Sequence, residues 1–199
     1  MKKIFYLILL CAIGSQATYA QSAIKQIRDH YAEVKQRIAN MDMEGMQPPP
    51  EYYKLKVSQN LPATGGHFVD VMMYYGFNDD DEIYPSHYFE FATVSYNFAA
   101  RKYYEEYLFD RKGDITFIYA RMPDMDDGNY YEHRYYFSGG KVIEMKVSSR
   151  KIDNENAPFD TVYSGKTVPQ AYSGNYEQYF KYASRLKHLF QSIEDINIQ

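Results

Sequence analysis

The sequence predicts an α+β domain: a curved antiparallel β-sheet of six to seven strands, built as meander hairpins and packed against N- and C-terminal helices. Three observations carry this. Apolar residues recur at three- and four-residue steps near both ends of the chain. The stretch between them alternates apolar with polar, and is rich in Tyr, Phe and Val. Glycine-bearing turns separate the alternating segments at hairpin spacing.

At the N-terminus, Lys2 and Lys3 form a short positive region and Ile4 to Gly14 an apolar run. Thr18-Tyr19-Ala20 then supplies small residues at the positions a signal peptidase reads. The apolar run is shorter than the roughly 20 residues that span a bilayer. Residues 1–20 therefore read as a signal peptide and 21–199 as a single α+β domain, secreted or periplasmic after cleavage near Ala20. The sole cysteine, Cys11, follows Leu10 inside the apolar run, which is not a lipobox. Its loss with the leader removes thiol nucleophiles, thiolate metal sites and disulfides from the expected chemistry. A domain of this length buries about 70 % of its unfolded surface and needs no covalent staple.

The chain carries 22 basic and 26 acidic residues, a net charge of −4 that becomes −6 once Lys2 and Lys3 leave. That balance argues against nucleic acid and limits any membrane contact to a peripheral one. With 23 Tyr, 12 Phe and no Trp, large rings with polar tips dominate, as on strands with one wet face.

Element by element, Ile24, Ile27, Tyr31, Val34, Ile38 and Met41 form the stripe of an amphipathic helix over 22–42. Pro48-Pro49-Pro50 then imposes an extended spacer. Tyr53–Ser58 alternates as a strand, Asn60–Gly66 is a turn, and His67–Tyr75 returns as a second strand. After the acidic loop 76–82 come the strand-like segments Phe89–Phe98 and Tyr103–Phe109. Ala99-Ala100-Arg101-Lys102 between them is either a tight hairpin or a bend with a bulge. Two glycine hairpins follow, 103–110 with 114–122 and 130–138 with 141–149. Residues 150–173 read as a long loop with room for a short strand near Thr161–Tyr163. A second helix over 175–194 carries Tyr179, Ala183, Leu186, Phe190 and Ile193, with Asn175 and Gln178 as a variant capping box. Both helices are expected on one face of the sheet, leaving the other half-wet.

Candidate chemistry is sparse. Asp79–Glu82 and the loop Asp124, Asp126, Asp127 are acidic enough for calcium. The second lacks the glutamate an EF-hand needs at its twelfth position, Tyr135, so both read as solvated turns. His30, His67, His87, His133 and His188 show no i, i+4 zinc spacing. Gly165-Lys166-Thr167 has Asp160 where a P-loop needs glycine, and no G-x-S-x-G elbow occurs. No catalytic, cofactor or metal residue is therefore assigned. In the charge- and tyrosine-dense segment 99–107, Tyr103, Tyr104 and Tyr107 are the candidate ligand-binding residues, with the 150–173 loop as a rim.

The leader ending Ala20-Gln21, the early helix, Pro62-Ala63-Thr64-Gly65-Gly66, Tyr103-Tyr104-Glu105-Glu106-Tyr107-Leu108-Phe109-Asp110 and the paired glycine hairpins resemble small exported proteins of Bacteroidetes-type bacteria. That resemblance covers most of the chain. It implies a compartment and a shape, and supplies no activity and no catalytic residue.

The sequence thus points to an exported, non-enzymatic binding or interaction module for a protein, peptide or glycan partner, without a cofactor. The competing expectation is a small secreted hydrolase or metal-assisted enzyme, which requires His67, His87 or His133 to converge with carboxylates in a cleft. A third is an inhibitor or chaperone-like protein with a broad exposed apolar patch.

Overall fold

The computed structural model describes residues 2–40, 51–78, 86–154 and 156–197, with side chains between Tyr19 and Ile196. A helix, α1 (Lys2–Ala39), precedes eight strands: β1 (Glu51–Leu61), β2 (Gly65–Phe77), β3 (His87–Phe98), β4 (Arg101–Phe109), β5 (Ile115–Asp124), β6 (Asn129–Ser138), β7 (Lys141–Lys151) and β8 (Asp160–Gly165). A 3-10 turn, Gln170–Tyr172, leads into the closing helix α2 (Ser173–Asn197). The strands form one sheet in chain order, each antiparallel to the next. The fold class is the expected α+β meander. The strand foreseen near 161–163 is β8, which brings the total to eight.

The two helices occupy opposite faces, not the same one, and this corrects the expected layering. Ile24, Ile27 and Val34 of α1 pack on Tyr74, Phe91, Leu108, Phe117 and Tyr136. Tyr179, Ala183, Leu186 and Phe190 of α2 pack on the residues next to them in the strands: Met73, Ala92, Tyr107, Phe109, Ile118, Tyr135 and Phe137. The reason lies in the central strands. Tyr107-Leu108-Phe109 and Tyr135-Tyr136-Phe137 are unbroken apolar runs, all buried. A period of two sends such a run to both faces, and both then need cover.

The turns follow backbone chemistry. Gly139 (φ 57°) and Gly140 (φ 72°) both take left-handed angles in the two-residue β6–β7 hairpin. Ala99-Ala100 makes an equally tight β3–β4 turn, which resolves the open choice at 99–102 in favour of a hairpin. Ala99 sits at φ 51°, and Asn97 braces it by donating from Nδ2 to the carbonyls of Ala99 and Gly66, each at 2.9 Å. A register shift between Tyr74 and Tyr75 leaves Glu90 without a cross-strand partner. The bulge aims its carboxylate at α1.

Two expectations about the C-terminal part need correction. Residues 150–173 are not one long loop, because β7 runs to Lys151 and β8 and the 3-10 turn divide the remainder into shorter connections. Asn175 caps nothing: α2 begins at Ser173, and the Asn175 amide donates to Met122 Sδ at 3.7 Å. Pro48–Pro50, Met41 and the acidic run Asp79–Glu82 lie outside the described residues. Among the described residues no helix is long and apolar enough to cross a membrane.

Phe190 anchors α2. Its ring stacks on Phe89 with centroids 4.9 Å apart and planes 12° from parallel, and it also touches Tyr53 and Tyr75. Phe190→Ala leaves a cavity among these rings. The expected loss is about 3–5 kcal/mol, measured by urea denaturation of the purified protein.

Candidate functional site

Between α1 and strands β4–β6 lies a cleft of about 560 Å³, within the range of small-molecule sites. Helix α1 supplies Ile27, Arg28, Tyr31 and Lys35 at helical spacing along one flank. The strands supply Tyr104, Glu106, Phe117, Tyr119, Arg121, Arg134 and Tyr136. Cross-strand register builds the floor: Glu106 lies opposite Tyr119 and Tyr119 opposite Arg134, while Tyr104 lies opposite Arg121 and Arg121 opposite Glu132.

Each acid of the cleft is held by donors of its own chain. Glu106, 2 % exposed, accepts from Lys35 Nζ at 2.7 Å, from Tyr104 Oη at 2.6 Å and from Tyr31 Oη. Glu132 accepts from Tyr119 Oη at 2.6 Å and Arg134 Nη2 at 2.7 Å. At one margin Arg28 donates from Nη2 to Glu144 at 3.0 Å and from Nε to the Tyr136 hydroxyl at 3.3 Å. Burial, with Glu106 beside them, pushes the phenols of Tyr31 and Tyr104 far above their ordinary pKa, so both stay protonated donors.

The three tyrosines singled out in the sequence are not brought together. Tyr104 lines the cleft. Tyr103 lies on the opposite face, stacked on Tyr96 with centroids 4.8 Å apart and planes 5° from parallel. Tyr107 is on that same α2 face but fully buried in the core, its hydroxyl donating to Glu105. Tyr107 therefore has no surface to offer a ligand in this conformation. The rim expected from 150–173 belongs to the edge strand β8 and its turn, away from the cleft lining.

The histidines also stay apart. His67, near the start of β2, meets Phe98, whereas His87 pairs with Phe77 at the far end of the same two strands. About ten residues of strand separate them, roughly 33 Å. His87 Nδ1 lies 2.8 Å from Glu194 Oε2 on α2. His133 is 1 % exposed beneath α2, with Nδ1 3.0 Å from the Tyr135 hydroxyl. Among the described residues no group of three His, Cys, Asp or Glu side chains is placed to hold a metal. The loop after β5 is a self-bonded turn, in which Asp124 and Asp127 accept from the backbone N–H groups of Asp126 and Asn129. Nor do the exposed apolar residues at the tip of β1–β3 form one patch. Strand alternation puts Val57 and Phe98 toward the α2 side and Phe68 toward the α1 side.

Sequence reasoning missed Tyr31, Lys35, Arg121 and Arg134 as cleft residues. A signal existed in part. Arg28 and Lys35 flank the apolar stripe that includes Tyr31, and Arg121 and Arg134 stand among the aromatic residues of β5 and β6. What was missing was the knowledge that α1 covers its own face of the sheet.

Two buried groups on the α2 face titrate in opposite senses. Glu105, 2 % exposed, accepts from Tyr96 and Tyr107 and has no cation among its partners. Desolvation raises its pKa above 4.5 against the lowering pull of those bonds. The folded state thus holds that proton more tightly than the unfolded chain, and stability falls as pH rises through the raised pKa. Glu105→Gln should be more stable than wild type at pH 7, with the advantage vanishing toward pH 4.5. Burial lowers the His133 pKa from 6.5 to about 4. Here the unfolded chain takes up the proton first, so stability is lost as pH falls from 6.5 to 4, by about 3 kcal/mol at roughly 1.4 kcal/mol per unit. His133→Gln should flatten that limb of the curve. Urea denaturation of both variants and wild type at several pH values reads the two slopes.

Compared with protein-family models, curated proteins and solved structures, the chain matches none.

Proposed function

We propose that the protein is an exported, non-enzymatic binding module whose ligand enters the cleft between α1 and strands β4–β6. The observation that carries this reading is the cleft itself: a small-molecule-sized volume with aromatic walls and fixed polar groups. Its acids support binding over catalysis. Glu106 and Glu132 are each engaged by donors of the same chain, whereas a general acid or base needs an oxygen aimed at the substrate. The volume suits a sugar ring or a peptide end group better than a broad protein surface.

Export is compatible with the packing. Residues 19–23 bury no side chain, and the first buried residue described in α1 is Ile24. Cleavage after Ala20 would leave every described anchor of α1 in place.

The test uses two neighbouring tyrosines on opposite faces. The purified protein is screened by thermal shift against glycans and peptide fragments. A ligand at a hundred times its Kd adds about 2.7 kcal/mol, roughly 5 °C or more for a domain of this size. Tyr104→Ala should abolish the rise and Tyr103→Ala should leave it, with melting of each free variant as the folding control. The reverse pattern would move the site to the α2 face. A screen that shifts nothing would end the reading.

A further inference from the structure

Resting on that reading of the cleft, we infer that its ligand carries an oxyanion, a carboxylate, sulfate or phosphate group, on a ring or apolar body that lies against the tyrosines. In every ion pair of the cleft the acid is the buried partner and the cation the outer one. Side-chain exposures are 3 % for Glu106 against 38 % for Lys35, 10 % for Glu132 against 31 % for Arg134, and 25 % for Glu144 against 56 % for Arg28. Glu106 is the acid in the lining, Glu132 and Glu144 stand beside it, and in each pair the cation is the more exposed partner.

Arg121 adds a fourth cation. It is exposed, lies 6.0 Å from the centre of the Tyr104 ring, and forms no ion pair among the described residues. Its cross-strand neighbour Glu132 is taken by Tyr119 and Arg134.

The strong donors still unused at the mouth are cationic. Tyr31, Tyr104 and Tyr119 direct their hydroxyl protons to Glu106 and Glu132. An arginine has five N–H donors, a lysine three, and neither has an acceptor. The hydrogen bonds described engage two donors of Arg28 and one each of Lys35 and Arg134. The mouth thus offers unused donors from four cations, in a protein whose net charge is −4. Charge-assisted bonds from guanidinium to a planar or tetrahedral oxyanion are the strong ones. Phe117, Tyr119 and Tyr136 give the rest of such a ligand an apolar wall, and Arg134 and Arg28 already lie over the Tyr119 and Tyr136 rings at 5.2 and 5.1 Å.

Matched probes test this. Benzoate, phenyl sulfate, phenyl phosphate and the neutral benzamide share a ring and differ in the group attached. Each is titrated into the isotope-labelled protein while the amide resonances of Tyr104, Glu106, Tyr119 and Arg121 are followed by NMR. At least one anion should shift these resonances and bind tenfold or more tightly than benzamide, and the best anion identifies the oxyanion. Arg121→Gln should weaken that anion about tenfold, the scale of one lost charge-assisted bond. Arg185→Gln on α2, whose guanidinium lies over Tyr182, should not. Benzamide binding in the cleft as tightly as every anion would overturn the oxyanion and leave the binding reading intact. Anion binding unchanged in Arg121→Gln would do the same. No shift at these residues with any probe would remove both.

Discussion

Everything in this fold answers to one constraint: the middle of the sheet carries carboxylates that the two helices bury. Glu90, Glu105 and Glu106 are 3 %, 2 % and 2 % exposed. An ionised carboxylate withdrawn from water is strongly unfavourable unless it is paired or hydrogen-bonded. On the α1 side the helix brings polar groups to these carboxylates, whereas on the α2 side the sheet supplies them from its own tyrosines. Glu105 and Glu106 are adjacent in sequence and face opposite ways. Glu106 meets Lys35 and two phenols. Glu105 meets two phenols and no cation, and its pKa rises accordingly. Glu90 completes the α1 side. Burial alone would raise its pKa, but hydrogen bonds from His30 and Arg37, together with the Arg37 charge, hold it below the usual carboxylate range.

That difference gives the two interfaces their characters. Under α2 the contacts are rings and short aliphatics. Ala183 lets the helix approach, Phe190 stacks on Phe89, and Tyr135 meets Tyr176 and Tyr179. The same constraint explains the abundance of tyrosine. A phenol fills core volume like phenylalanine and still satisfies a buried carboxylate, which a sheet buried on both faces with acids at its centre requires.

Much of this was legible in the sequence, and the failures have specific causes. Both helical stripes and the pairing of the glycine hairpins follow from periodicity and positive-φ residues, and the structure has them. The Ala99-Ala100 turn was ambiguous because no glycine marks it. Its left-handed alanine is held by Asn97, a bond invisible without the neighbouring strand. The layering was misjudged because Tyr53–Ser58 and His67–Tyr75 alternate as one-faced strands do, and that pattern was extended to the whole sheet. Tyr107-Leu108-Phe109 and Tyr135-Tyr136-Phe137 carried the opposite message. Strand alternation likewise separates Tyr104 from Tyr103 and Tyr107, on opposite faces of β4.

The cleft itself follows from how α1 is held. Among the described residues its buried apolar contacts are Ile24, Ile27 and Val34, with Ile38 partly buried beside them, and Arg28, His30, Tyr31, Lys35 and Arg37 add polar grip by reaching acids and a phenol on the sheet. The stems of Arg28 and Lys35 extend so that their charged ends meet sheet carboxylates, and such stems fill less of the space beside the strands than a leucine seam would. A gap walled by the rings of the sheet is the geometric consequence. Since each pair is made with the cation on the outer side, the gap opens to solvent through a ring of donors. The closer apolar seam of α2 leaves only smaller hollows, of about 190 and 180 Å³, and the reversed pairing, with acids on the helix and cations in the sheet, would have left a mouth of the opposite sign.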